Sequence, residues 1–413
     1  MFDKNLRILI EQITELAVQR CGQEFEDYMQ GLMAERERLL NNVWARTPAE
    51  GLDSSDTDRV LREIDFDMIT LHAARYLKVS DYADFIYDVA ELSLRFGQLE
   101  KAQSLLQLLI RKYAAAGGRK LTAKSHHLLG RAVFYKSEFQ QATKAYEASL
   151  EIYLDLQDRE GICTMQNALG IVLVSTGQVS KGVELFDSAL EIAEANTYSD
   201  LIIKIQINLG NSHIIRGDWE LARTAFEKAL EVLGENPNDD LRARIFHNIS
   251  IIHSGQKEYS EAQACLEKSL NYSDKTHNLY LKSLSYLEES GIKCEQGDLN
   301  SATALATTAF HTFAEMGDRV SMADVYKTFG IINRQRANYE SALSFFENSK
   351  KINEDYNNYL NLGQTLLEMA LLYQKLNDQV LAKQLHRDAI DCFKHIESDT
   401  RVSLALQAIE LTH

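Results

Sequence analysis

Small residues recur at one interval along this chain: Ala102, Ala142, Gly182, Ala222, Ala262, Ala302, Ala342 and Ala382 stand forty residues apart. A fixed period of this length means that one supersecondary unit has been stacked, since such a unit cannot bury its apolar face alone. Three residues before the small position come Leu99, Phe139, Val179, Trp219, Tyr259, Leu299 and Tyr339, with Gln379 departing. Four after it come Leu106, Tyr146, Phe186, Phe226, Leu266 and Phe346, with Ala306 and His386 departing. Seven after it the residue is small again in Ser149, Ala189, Ala229, Ser269, Ala309, Ser349 and Ala389, though Leu109 is not. Spacings of three, four and seven put these columns on one helix face. The small residue lets a neighbouring helix approach, and the large ones fill the gaps beside it.

A second helix precedes the first in each unit. Twelve residues before the small position lie Ala90, Gly130, Gly170, Gly210, Ser250, Ser290, Gly330 and Ala370, preceded by Val89, Leu129, Leu169, Leu209, Ile249, Phe329 and Met369. Glu289 breaks that apolar column, which predicts a local shift of the helix face, a hinge or a second contact site. Between the helices Gly97, Gly177, Gly217 and Gly297 share one position, where a left-handed C-terminal cap needs no Cβ. The following Asp218, Asp298, Asn338 or Asp378 can cap the next helix.

The helix, tight turn and helix of this unit resemble the tetratricopeptide repeat, best seen in Asn208-Leu209-Gly210-Asn211 followed by Gly217-Asp218-Trp219, Ala222, Phe226 and Ala229. The resemblance covers residues 83–402. A period of forty is longer than the family's commonest one and is similar to the kinesin light chain, LGN and bacterial Rap subclass. It implies an all-α protein, an α-solenoid that is a right-handed superhelix of helix-turn-helix repeats. A helical region at 1–82 precedes eight repeats at 83–402, and a capping helix at 403–413 follows, with Ile409 in its core position.

Composition agrees. Two prolines, Pro48 and Pro237, leave the chain free to be helical. Cys21, Cys163, Cys265, Cys294 and Cys392 show no Cys-x-x-Cys spacing, which predicts free thiols in a reducing, cytoplasmic compartment. Charges at Asp3, Lys4, Arg7, Glu11 and Glu15 interrupt the first apolar stretch, so no export signal is read there, and no apolar run is long enough to span a bilayer. A net charge of −16 disfavours nucleic acid and anionic membranes as partners. In residues 1–82, apolar periodicity from Leu6 to Val43 and from Leu61 to Leu77 predicts helices on either side of a loop at Thr47–Thr57.

In the family, first helices line a concave groove, and the positions six, three and one or so before the first helix's small residue, and one after it, face inward. On this chain those positions give Lys124, His127, Arg131, Asn167, Lys204, Asn208, Asn211, Arg244, His247 and Asn248. The set is basic and rich in amides within an acidic protein. An asparagine can pair with both C=O and N–H of an extended peptide, and the cations attract carboxylates or phosphates. The expectation is an acidic peptide or protein segment across repeats two to five, with Asp84, Asp88 and Glu91 of the first repeat offered to a basic end. The family's carboxylate clamp is incomplete: Asn211 and Asn248 fit, but Ile207, Leu284 and Glu288 stand where basic residues belong.

No phosphate loop, nucleophile elbow or His-Glu-x-x-His appears. His213 and His253, one repeat apart, read as packing residues, since no third ligand is evident. The reading is therefore a non-enzymatic binding scaffold or adaptor with no cofactor and no metal. The alternative is a Rap-like regulator in which a peptide switches the N-terminal bundle, and a self-associating homodimer is the third.

Overall fold

The structure, a computed structural model, describes residues 2–44 and 65–410, and all regular structure among them is helical. The loop expected at Thr47–Thr57, Leu61 and Ile64 lie outside these residues, as does the side chain of Ile409. Two compact units divide the chain at Gly161 and Ile162.

Unit 1 holds α1 (Phe2–Cys21), α2 (Gln23–Trp44), α3 (65–73), α4 (Val79–Arg95), α5 (Leu99–Tyr135) and α6 (Phe139–Asp155). Leu6, Leu9, Ile13 and Ala17 of α1 form one buried cluster with Phe25 and Met29 of α2, Phe66 and Ile69 of α3, and Phe85, Ile86 and Val89 of α4. Leu109 and Leu121 of α5 complete that cluster, so the N-terminal helices share a core with the first repeat. α5 runs through the end of one repeat into the next and is kinked at Gly118, whose φ of 78° no helix interior adopts.

α7 (Arg159–Ser175) spans the boundary, and unit 2 continues with α8 (Val179–Ala195), α9 (Ser199–Arg216), α10 (Trp219–Leu233), α11 (Asp239–Gly255), α12 (Tyr259–Lys275) and α13 (Leu279–Glu295). Then come α14 (Leu299–Met316), α15 (Arg319–Gln335), α16 (Tyr339–Asp355), α17 (Tyr359–Lys375), α18 (Gln379–His395) and α19 (Asp399–Glu410). The two small columns explain how each pair closes. A Cβ added at Gly170, Gly210 or Gly330 would lie 2.4–2.6 Å from the ring of Phe186, Phe226 or Phe346 of the facing helix. Large and small residues therefore interlock, and Ala222, Ala262, Ala302 and Ala342 are wholly buried on the other side. At Ser290 the hydroxyl reaches the Ala302 carbonyl instead, at 2.7 Å.

The turns obey the period more strictly than their residues do. Gly97, Gly177, Gly217 and Gly297 have positive φ as expected, and so do Ser137, Lys257, Ala337 and Asn377 at the same position of the other repeats. A second left-handed column links one repeat to the next at Gln157, Thr197, His277, Gly317, Asn357 and Glu397. Pro237 falls in that column, and its ring forbids such a φ. The chain there leaves α10 through Gly234 at φ 47° instead.

Capping departs from expectation. Asp298 and Asp378 accept from Ser301 and Leu381 backbone N–H at 3.2 and 3.0 Å. Asp218 and Asn338 make no such bond. Asp218 is drawn instead to the Arg216 guanidinium at 3.2 Å. The sequence reading missed a more regular column, Asn238, Asn278, Asp318 and Asn358, which caps the first helices of repeats five to eight.

Unit 2 also returns on itself. The turn between α18 and α19 packs against the intrarepeat turns of repeats three and four, which lie 217 and 182 residues earlier by the bonds they make. There Glu397 Oε2 accepts from Ser180 N at 2.7 Å, and the Ser398 hydroxyl donates to the Arg216 carbonyl at 2.5 Å. Arg401 donates to the Ile215 and Ile214 carbonyls at 3.0 and 2.9 Å.

Candidate functional site

First helices face inward in unit 2 and surround a cavity of about 590 Å³. Its wall combines Ile251, Leu284, Leu287 and Ile331 with His247, Glu288, Asp324, Lys327, Asn361 and Gln364, and Trp219 and Arg401 contribute from one side. A space of this size, mostly apolar with a few convergent polar groups, is the form of a ligand site.

Charges on the wall of repeats seven and eight are occupied by one another. Lys327 Nζ lies 3.2 Å from Asp324 Oδ1 and donates to Gln364 Oε1 at 2.6 Å, while Asn361 Nδ2 donates to Asp324 Oδ2 at 2.9 Å. Further along, Arg334 pairs with Glu368 at 2.7 Å. Glu288 is different. Among the described residues no ion pair holds it, and burial raises its carboxyl above the usual range against the pull of the Ser254 hydroxyl and the Lys327 charge. Neighbouring Glu289 is half-buried, so the break in the apolar column leaves a carboxylate at the edge of the core.

Of the ten groove residues expected from the sequence, His247 lines this cavity. It is buried, and burial followed by the Arg244 charge pushes its imidazole down to about 4, so it adds no positive charge at neutral pH. The asparagines form rungs between repeats. Asn208 Nδ2 donates to Asn167 Oδ1 at 2.8 Å, and Asn248 Nδ2 donates to Asn211 Oδ1 at 2.8 Å. Each rung uses one donor and one acceptor, which leaves the pair part of its capacity. Lys204 and Arg244 are exposed on α9 and α11, and no hydrogen bond or ion pair is found for either among the described residues.

In unit 1, Lys124 is exposed and Arg131 half-exposed, and the His127 ring lies 6.0 Å from that of Tyr146. Asp88, offered above to a basic ligand end, pairs with Arg20 of α1. His213 and His253 each sit by a carboxylate five residues on, Asp218 at 4.0 Å and Glu258 at 2.6 Å. Of the residues that sequence reasoning missed, Asp324 and Gln364 stand six before the small residues Gly330 and Ala370, an inward position that was the available signal, whereas Asn361, nine before Ala370, and Arg401, on α19, carried none.

The tetratricopeptide repeat family model matches residues 161–233 and 201–275. No curated protein sequence matches the chain. A Rap protein complexed with competence and sporulation factor has 12% identity and a TM-score of 0.63 over 94% of this chain and 99% of that one. The aspartyl phosphate phosphatase F from Bacillus subtilis has 13% identity and a TM-score of 0.54 over 95% and 94%. The Rap conjugation gene regulator of the plasmid pLS20, in complex with the Phr* peptide, has 16% identity and a TM-score of 0.51 over 97% of each chain. At such identities these likenesses are of fold. Residues 161–275 thus match the tetratricopeptide repeat model, and the chain as a whole shares the fold of these solved structures.

Proposed function

We propose that this protein binds a peptide or protein segment on the inner face of its repeats and does so without chemistry of its own. The observation that carries the reading is the pair Lys204 and Arg244. They are equivalent residues one repeat apart, both exposed and without an ion pair among the described residues, on a chain whose net charge is −16. An acidic segment laid across α9 and α11 would meet two cations and the spare amide groups of the asparagine rungs below them. The fold is that of proteins solved with a peptide or factor bound, which supports a ligand of the same kind. The test is capture of partners from native extract by the intact protein and by a folded Lys204→Glu, Arg244→Glu variant. A partner lost by the variant alone is the expected result, and a partner retained equally by both would end the assignment.

A second reading is a signalling regulator whose N-terminal helices act on another protein. The fold likeness to the Rap regulators runs through those helices as well as the repeats, covering 94–97% of the chain. Under this reading, ligand binding changes amide hydrogen exchange in α1 and α2. Under the scaffold reading, the changes stay within the repeats.

A further inference from the structure

We infer that residues 395–401 are a clasp that closes unit 2 into a ring and gates its central cavity. The last carbonyls of a helix lack intrahelical donors. At the end of α9 the Ile215 and Arg216 carbonyls receive theirs from Arg401 and Ser398, and Arg401 adds a second donor to the Ile214 carbonyl, which also accepts from the Gly217 N–H at 3.1 Å. A guanidinium is thereby set at the negative end of α9, and the Glu397 carboxylate is set on the Ser180 N–H in the first turn of α8, its positive end. Both charges complement the helix they touch. Arg401 also lies over the Trp219 ring, 5.6 Å from its centre.

The turn glycines carry an independent mark of the same contact. All eight intrarepeat turns are left-handed, yet four are built without glycine. Of the four glycines, Gly97 and Gly297 have nothing near the place a Cβ would occupy. At Gly177 that Cβ would lie 2.6 Å from the His395 ring and 3.0 Å from its carbonyl, and at Gly217 it would lie 3.3 Å from Thr400. Where residues 395–401 land, a Cβ is thus blocked at Gly177 and crowded at Gly217. Ile214, Trp219 and Arg401 belong to the cavity wall too, so parting the clasp unseals that side.

This inference requires no ligand and stands apart from the binding assignment above. Its test compares wild type with Arg401→Ala by hydrogen exchange of residues 212–220 and by N-ethylmaleimide labelling of Cys294, a buried thiol on the cavity wall. Cys163, which is buried elsewhere and donates to the Ala189 carbonyl, is the reference. Exchange and Cys294 labelling are expected to rise about tenfold, as for a local opening, with Cys163 labelling and helicity unchanged. Unchanged rates in a folded variant would overturn the clasp, and faster exchange with unchanged Cys294 labelling would overturn the gate. Should Arg401→Ala fail to fold, Arg401→Lys keeps the charge but loses the planar guanidinium fork that reaches both carbonyls, and the same outcomes are read at smaller amplitude.

Discussion

The first helices of repeats four and five and those of repeats six to eight are built on the same columns but use their inward charges in opposite ways. On α9 and α11 the cations Lys204 and Arg244 are exposed and have no ion pair among the described residues, on helices that also carry rungs of paired amides. On α15 and α17 Lys327 and Arg334 are consumed by Asp324 and Glu368, and Glu288 on α13 is a carboxylate with no ion pair among the described residues. The backbone period fixes where a side chain points. Whether it serves the fold or a ligand depends on what the next repeat places beside it.

The contrast breaks most visibly at Arg334. Arg334→Ala leaves Glu368 poorly solvated without its partner and is expected to cost about 3 kcal/mol in urea denaturation of the repeats. Arg244→Ala in the same assay is expected to cost no more than about 0.5 kcal/mol, as for other exposed sites. Equal costs would erase the distinction. Binding should report the reverse: Lys204→Glu with Arg244→Glu is expected to weaken an acidic peptide about 100-fold, or roughly 2.7 kcal/mol, while Lys327→Met weakens it much less. Fluorescence titration at low and high salt checks this, because the first loss should shrink as salt screens it.

The amide rungs lie between these cases. Asn248→Ala removes the bond to Asn211 and is expected to cost about 1 kcal/mol of stability, measured by the same denaturation. The smallest effect is at Glu288. Its folded carboxyl is raised, so ionisation opposes folding: its contribution is full below the unfolded carboxyl range and is lost as pH rises through the folded one. Asp324 opposes that ionisation, while Lys327 and Ser254 favour it. Glu288→Gln is therefore expected to raise the melting temperature by about 1 °C at pH 7.5, with the gain vanishing in acid. A gain that grew on acidification would reverse the sign.

Much of the fold was legible because it repeats. The small columns, the aromatic rings opposite them and the four turn glycines follow from counting in forties. The left-handed Ser137, Lys257, Ala337 and Asn377 were not legible, since only the stacking of the helices compels those residues into that conformation. Nor was the contact of Ser398 and Arg401 with α9, which joins positions about 180 apart and leaves no periodic trace. For the site, periodicity put Asn167, Asn208, Asn211 and Asn248 on facing helices, yet the same inward position also bonds one repeat to the next. Burial of His247 was beyond reach for a related reason, as a column three before the small residue holds Ile207 as readily as Lys327.

The eight turns bear on how such a chain could be improved. A side chain held left-handed costs about 1–2 kcal/mol relative to its preferred state, of which glycine's greater freedom in the unfolded chain returns a part. Ser137, Lys257 and Ala337 are therefore places where the protein has left heat resistance unclaimed, and Asn377 less so, because an amide side chain tolerates that conformation. All four lie in turns, away from the cavity wall, so an engineer could toughen the scaffold and redesign what it recognises as separate tasks.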